Sequence, residues 1–417
     1  MTMTEQHWHT RDFDAEATGP MTGVRVLDLS RLVAGNMCSL QLADFGADVV
    51  KVEPQPMGDP LRAWKQKGQS SFWKTYGRNK RSIALDFRAE GGLEVLERLM
   101  AQADIMIESF RPGTMEKMGL GPDVLAQRFP RLILLRVSGF GQTGPYSPRP
   151  GFGTLVEGMS GFAHRNGEAG GDPLLPPLAL ADMIAGLYGS NALMMALRSR
   201  EQTGRGQVVD LSLLEAMVSV LGPEPLDYRL TGTPKPRVGN GSNTSSPRNV
   251  YRSKDGHFIA VSASVQNAAT RMFNTIGRPD MNTDPRFATN EERIKRREEV
   301  DAIVGGWMAE HTREELLEIF ERDGITAAPL YSVADIVEDP HFIEREVFVE
   351  VPDADLDHVP MHSPLPRLSA TPGTLRRPAP AFGEHGRAIL SEAGYAEAEI
   401  DAMVAGGLIA LPEEVVA

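Results

Sequence analysis

Short apolar runs alternate with amphipathic stretches along the first half of the chain. "VRVLDL" (24–29), "ADVVKVE" (47–53), "RSIALD" (81–86), "DIMIESF" (104–110), "RLILLRVSGFG" (131–141) and "VVDLSLL" (208–214) are apolar at most positions. Strands look like this in a sheet covered on both faces. Between them, the residues around 37–45, "AEGGLEVLERLMAQA" (89–103) and "ADMIAGLYGSNALMMALRSREQ" (181–202) carry apolar side chains at helical spacing. Strands alternating with helices predict a parallel sheet and an α/β fold.

The pattern changes after residue 220. Residues 221–247 are rich in Gly, Pro, Asn, Ser and Thr ("GTPKPRVGNGSNTSSP") and read as a linker with a Gly-rich loop. "HFIAVSAS" and the charged helical stretches over 290–324 predict a smaller α/β domain at 248–335. "LPRLSATPGTLRRPAPAFGEHG" (365–386) is an extended return, and two short helices close the chain, so 336–417 reads as a linker and a terminal part. The first twenty residues are polar and acidic, which predicts a flexible tail and not a signal peptide. Residues 21–220 make the large domain.

Composition narrows the partners. The 417 residues carry a formal charge of −13, which argues against a nucleic-acid surface or an anionic membrane. No run approaches the ~20 apolar residues of a membrane span. The one cysteine, Cys38, allows no intrachain disulfide and reads as a small buried hydrophobe in a cytoplasmic protein. Neither "GADVVKVE" nor "LVAGNMCS", which sit beside strands, carries GxGxxG between a strand and a helix, and the chain has no phosphate-binding GxxxxGK[ST] and no GxSxG elbow. Nine histidines are scattered, and Pro360 separates His358 from His362, so no metal site is expected.

What remains is "LALADMIAGLYG" (178–189), which sets Asp182 among aliphatic and small residues. Its plain reading is a helix-start carboxylate meeting free N–H groups and the positive end of the dipole. A second reading is compatible with the first: a carboxylate kept ionised there is a nucleophile. The small residues Ala185, Gly186, Gly189 and Ser190 leave room for another backbone or a ligand.

The blocks "GVRVLDLSRLVAG", "LADFGADVVKVEPQPMGDPLR", "NKRSIALDFR", "ADIMIESFRPGTMEKMGL", "LILLRVSGFGQTGPY", "LADMIAGLYG" and "TGRGQVVDLSLLEA" follow in order over about 23–409. In these the chain resembles the class III CoA-transferases, the CaiB/BaiF or formyl-CoA transferase-like family. The resemblance implies that Asp182 is the catalytic nucleophile, cycling through a mixed anhydride and an aspartyl-CoA thioester. It implies coenzyme A and acyl-CoA as substrates, a small organic acid (dicarboxylic acids included) as acceptor, and no tightly bound cofactor or metal. Residues matching the family's CoA contacts are Leu85, Arg88, Ser109, Phe110 and Lys117. Arg88 and Lys117 alone would read as solvated surface charges. Ser109 stands where the family's best-known members have Asn. Gly239 and Gly241, in "VGNGSN", match the active-site loop of formyl-CoA transferases. The implied architecture is a Rossmann-like large domain built from both chain ends, a smaller middle domain, and an interlinked homodimer.

The same family contains α-methylacyl-CoA racemases, whose proton-exchanging His lies in a "GHD" triplet thirty residues before the Asp. The matching triplet here is "GFG", and Phe152 accepts no proton. Oxalate-using members carry Gln where this chain has Val33. His164 and Arg165 follow "MSGF", where Arg165 would suit a second substrate carboxylate. Alternatives to transfer are an acyl-CoA racemase or isomerase, a catalytically silent CoA-binding protein and, remotely, a dehydrogenase.

Overall fold

The computed structural model describes residues 8–412. Among them, twelve strands follow in chain order: β1 (Arg25–Asp28), β2 (Asp48–Glu53), β3 (Lys80–Leu85), β4 (Ile105–Glu108), β5 (Ile133–Ser138), β6 (Val208–Ser212), β7 (Arg248–Arg252), β8 (Phe258–Ser262), β9 (Ala327–Pro329), β10 (Phe348–Asp353), β11 (Asp357–His362) and β12 (Ile409–Ala410). Three helices concern the site: α1 (Leu32–Asp44), α2 (Gly153–Met159) and α3 (Leu180–Thr203).

Two compact units result. One takes in the described residues of Met1–Phe162, Pro176–Gly222 and Pro340–Ala417; the other takes in Ala163–Leu175 and Pro223–Asp339. The first holds a seven-stranded sheet in the order β12-β3-β2-β1-β4-β5-β6. Strands β1 to β6 are parallel, and only β12 is antiparallel, pairing Ile409 with Leu85. The order 3-2-1-4-5-6 is that of a doubly wound α/β sheet. Alternation along each strand explains the continuous apolar runs. Val26, Val49, Ile105 and Leu135 face the layer containing α1 and α3, while Leu27, Val50, Met106 and Leu134 pack under Leu96, Met100 and Leu390 on the other side. Both faces are covered, so neither needs polar residues.

Beneath α1 lies a buried ion network. Lys51 Nζ is 3.2 Å from Asp28 and 3.2 Å from Asp59, and Lys80 Nζ donates to Asn36 Oδ1 at 2.9 Å. Asp59 accepts from Asn36 Nδ2 at 2.7 Å and from Leu32 N–H at 3.2 Å, which fixes the start of α1. Much of the sequence that carries the family resemblance is therefore framework.

The second unit has an antiparallel sheet β7-β8-β9 and a core including Phe273, Phe287, Val300, Val304 and Phe320. The sequence reading needs correction in three places. The 221–247 stretch is not all loop, since a helix runs over Glu224–Thr231 with Glu224 and Asp227 in its first turn and a left-handed Gly232 ending it. The loose start does not extend over the described residues 8–14: Trp8 stacks on Phe348 at 5.0 Å, and Arg11 N–H bonds the Glu350 carbonyl at 2.8 Å. Finally, α3 has the length and composition of a membrane span. Its residues Ala181, Ala185, Gly186, Gly189 and Leu193 are buried within the unit, as in the core helix of a globular domain.

Candidate active site

Ligands of doubly wound sheets bind beyond the carboxyl ends of the strands, where the strand order reverses. Here the reversal lies between β1 and β4. A cavity of about 280 Å³ opens at that point, lined by Arg31 and Ala34 after β1, Ser109, Phe110 and Arg111 after β4, and Gly139 after β5. Asp182, Phe152 and Arg149 are also among its lining residues. The nucleophile candidate and the switch point coincide.

Close helix packing puts Asp182 there. A Cβ at Gly186 would lie 2.7 Å from the Met37 side chain and 2.9 Å from the Ala34 carbonyl oxygen, and one at Gly189 would lie 3.0 Å from Cys38 Sγ. The small residues of α3 thus admit the backbone of α1. That approach lets the Ala34 N–H reach the Asp182 carboxylate, which also takes its own N–H in the first turn of α3. These bonds favour the charged form, but they are outweighed. Burial and the neighbouring negative charge of Glu157 push the Asp182 carboxyl up to about 6. A helix start that keeps a carboxylate fully ionised is therefore only part of the account.

Glu157 is the residue the sequence reading missed. It is 3% exposed, and its Oε1 accepts the Ala181 N–H at 3.1 Å. The N-cap of α3 is Ala179, whose side chain caps nothing, so an orphan N–H of the first turn is satisfied from another helix.

A second cavity, of about 710 Å³, is lined by Phe87, Arg88, Phe110, Thr114, Lys117 and Met118 among others. Phe110 lines both cavities, and its ring meets Phe87 edge-on at 6.0 Å. Aromatic faces beside Arg88 and Lys117 suit a planar heterocycle carrying phosphates. Ser109 lines the first cavity, and its Oγ accepts the Arg31 N–H at 3.0 Å. Leu85 departs from expectation: it is fully buried in β3, in the core beneath the sheet, and lines neither cavity.

The remaining candidates separate. Val33 is buried against Leu61 and Trp73. Phe152 is 61% exposed at the mouth of the Asp182 cavity and offers no proton acceptor. His164 and Arg165 belong to the second unit, where Arg165 pairs with Glu224 at 3.2 Å and bonds the Pro236 carbonyl, so it is not a free cation. Gly239 and Gly241 are in the same unit. Gly239 needs its positive φ of 58°, and a Cβ there would lie 2.6 Å from the Glu168 carboxylate. Cys38 is buried, which pushes its thiol up and away from nucleophilic use. Among the described residues no cluster of His, Cys, Asp and Glu is arranged to hold a metal.

The chain is similar to known proteins in sequence and in fold. The family model described as CoA-transferase family III covers residues 21–386. Succinyl-CoA–D-citramalate CoA-transferase of Chloroflexus aurantiacus is 38% identical over 376 residues, 89% of this chain and 94% of that protein. Succinate–glutarate CoA-transferase of Agrobacterium fabrum is 33% identical, over 89% of this chain and 95% of that protein. Among solved structures, a CaiB/BaiF family protein from Brucella suis superposes with a TM-score of 0.78 at 33% identity, covering 90% of this chain and all of that one. The chain belongs to CoA-transferase family III.

Proposed function

We propose that the protein moves coenzyme A from a donor acyl-CoA, succinyl-CoA foremost, to a small dicarboxylic acid, with Asp182 as the covalent carrier. The observation that carries this reading is the Asp182 carboxylate at the switch-point cavity, raised to about 6 and so both basic and ionised at neutral pH. An Asp182 oxygen bonds the thioester carbon, and the carbon–sulfur bond breaks with its electron pair leaving on the CoA sulfur. The thiolate then attacks Asp182 Cγ and expels the donor as a free carboxylate. An aspartyl-CoA thioester remains, and the acceptor acid reverses both steps. The energy of the thioester is retained, first in the anhydride and then in the new thioester, and one hard exchange is split into easier covalent steps.

The dicarboxylic preference rests on the cations around Asp182. Arg31, Arg111 and Arg149 line its cavity, where a second carboxylate would find charge-assisted partners. The relatives named above are called after succinyl-CoA, citramalate, succinate and glutarate. Phe152 weighs against racemisation, which needs a second acid/base group on that side. The CoA nucleotide is assigned to the cavity of Phe87, Arg88, Phe110 and Lys117. A homodimer in the cytoplasm completes the reading. It is supported by the exposed apolar Leu187, Tyr188, Met194 and Met195 on α3 and by the absence of any disulfide partner for Cys38.

The test is trapping. Incubation with a panel of acyl-CoAs followed by hydroxylamine or borohydride should modify Asp182 with true donors only, as read by mass spectrometry. Asp182→Ala should abolish exchange and keep CoA binding. Full turnover by that variant would refute the mechanism.

A further inference from the structure

We infer that Glu157 is a positioning residue for the transfer. Its buried carboxylate fixes the first turn of α3 and, as a negative charge beside Asp182, favours the states in which Asp182 is acylated and uncharged. The inference rests on the proposed role of Asp182 as covalent carrier.

The geometry runs through α2. Gly153 and Glu157 are four residues apart on this helix and share a face. A Cβ at Gly153 would lie 2.3 Å from Asp182 Oδ2, so that face lies against the Asp182 carboxylate. One turn on, Glu157 reaches the Ala181 N–H, the residue directly before Asp182. Glu157 forms no ion pair among the described residues. A neutral amide oxygen would accept the same N–H, so capping alone does not explain a charge that burial disfavours.

The other charged groups at this cavity are Arg31 before α1, Arg111 after β4 and Arg149 before α2. All three are exposed, so solvent screens them, whereas Glu157 is shielded. The charge count gives Glu157 its effect. Free Asp182 places two negative carboxyl groups together. When Asp182 carries an acyl group or CoA, its charge has left with the thiolate and then with the released donor carboxylate, and the repulsion with Glu157 is gone. Repulsion thus raises the free carboxylate relative to both covalent states, and it raises the basicity of the attacking oxygen.

The test compares wild type with Glu157→Gln, which keeps the acceptor for Ala181 and removes the charge. Each protein is equilibrated with a fixed ratio of succinyl-CoA to succinate, and intact-protein mass spectrometry reads the ratio of aspartyl-CoA to free enzyme. Carbon-13 NMR of labelled aspartate follows Asp182 in the unliganded protein. The expected result is about a tenfold fall in that ratio and a titration midpoint about one unit lower in the variant. An adduct ratio unchanged within about twofold, with the midpoint unmoved, overturns the role of Glu157 while leaving Asp182 as carrier. If no adduct forms on Asp182 in wild type, the carrier reading itself falls. Should the variant not fold, the wild-type titration decides: a midpoint in the ordinary carboxylate range overturns the inference.

Discussion

Asp182 is held where its charge is least welcome. In the unfolded chain it would titrate near 3.8; in the folded protein burial and Glu157 raise it to about 6. A raised carboxyl contributes its full stability below the unfolded value and loses it as pH rises through the folded value. At pH 7.5 the ionised group therefore costs about 3 kcal/mol, and at pH 5 about half of that. The same group must be ionised to attack a thioester. Two outcomes are expected. Turnover should fall on the acid side with a midpoint near 6, measured as kcat/KM against pH. Asp182→Asn should be inactive yet more stable than wild type at pH 7.5 by up to about 3 kcal/mol, the gain shrinking toward pH 5, as read from urea midpoints. A variant no more stable than wild type would mean that the carboxylate is not strained by its site. Asp182 was legible in the sequence because a lone carboxylate in an apolar helix needs a reason to be there. Glu157 was not, because a single Glu between Val156 and Gly158 reads as a solvated charge until α2 turns it inward.

Elements follow the same division. The parallel strands announced themselves through apolar runs, because both faces of the sheet are covered, and α3 announced itself through its length. What escaped was short or locally polar. The helix α2 has seven residues, two of them glycine, too few for a period to show. The hairpin β10–β11 holds only four of its twelve residues in its core cluster, Val349, Val351, Val359 and Met361. The packing of α1 on α3 shows what local propensity misses. Gly→Ala inside a helix ordinarily stabilises by about 1 kcal/mol. At Gly186 the added Cβ would press on Met37 and on the Ala34 carbonyl oxygen at 2.9 Å. Overpacking of this kind costs about 1–3 kcal/mol. Gly186→Ala should therefore destabilise, reversing the propensity sign. It should also lower kcat, since α1 supplies the Ala34 N–H to Asp182. Urea denaturation reads the first effect and steady-state kinetics the second; a stabilised variant would show that the two helices can part without loss.

Over the whole molecule the sign of the charge runs against the sign of the site. The chain carries −13, and several of its buried cations are paired: Lys51 with Asp28 and Asp59, Arg78 with Asp44, Arg136 with Glu108. Arg31, Arg111 and Arg149 in one cavity and Arg88 and Lys117 in the other form no ion pairs among the described residues. An acidic surface repels coenzyme A, which brings several phosphate charges, while these five cations attract it over a short range. The Debye length shortens from about 14 Å at 0.05 M salt to about 4 Å at 0.5 M, so the attraction should weaken before the chemistry does. The KM for acyl-CoA is expected to rise severalfold across that range while kcat stays nearly flat. Arg88→Ala with Lys117→Ala should raise KM at low salt by about tenfold, as expected for losing two charge-assisted contacts, and should flatten the salt dependence. The covalent step at Asp182 uses neither residue, so kcat should survive. A KM indifferent to salt, or a double variant that loses kcat and keeps KM, would place the nucleotide somewhere other than the cavity beside Phe87 and Phe110.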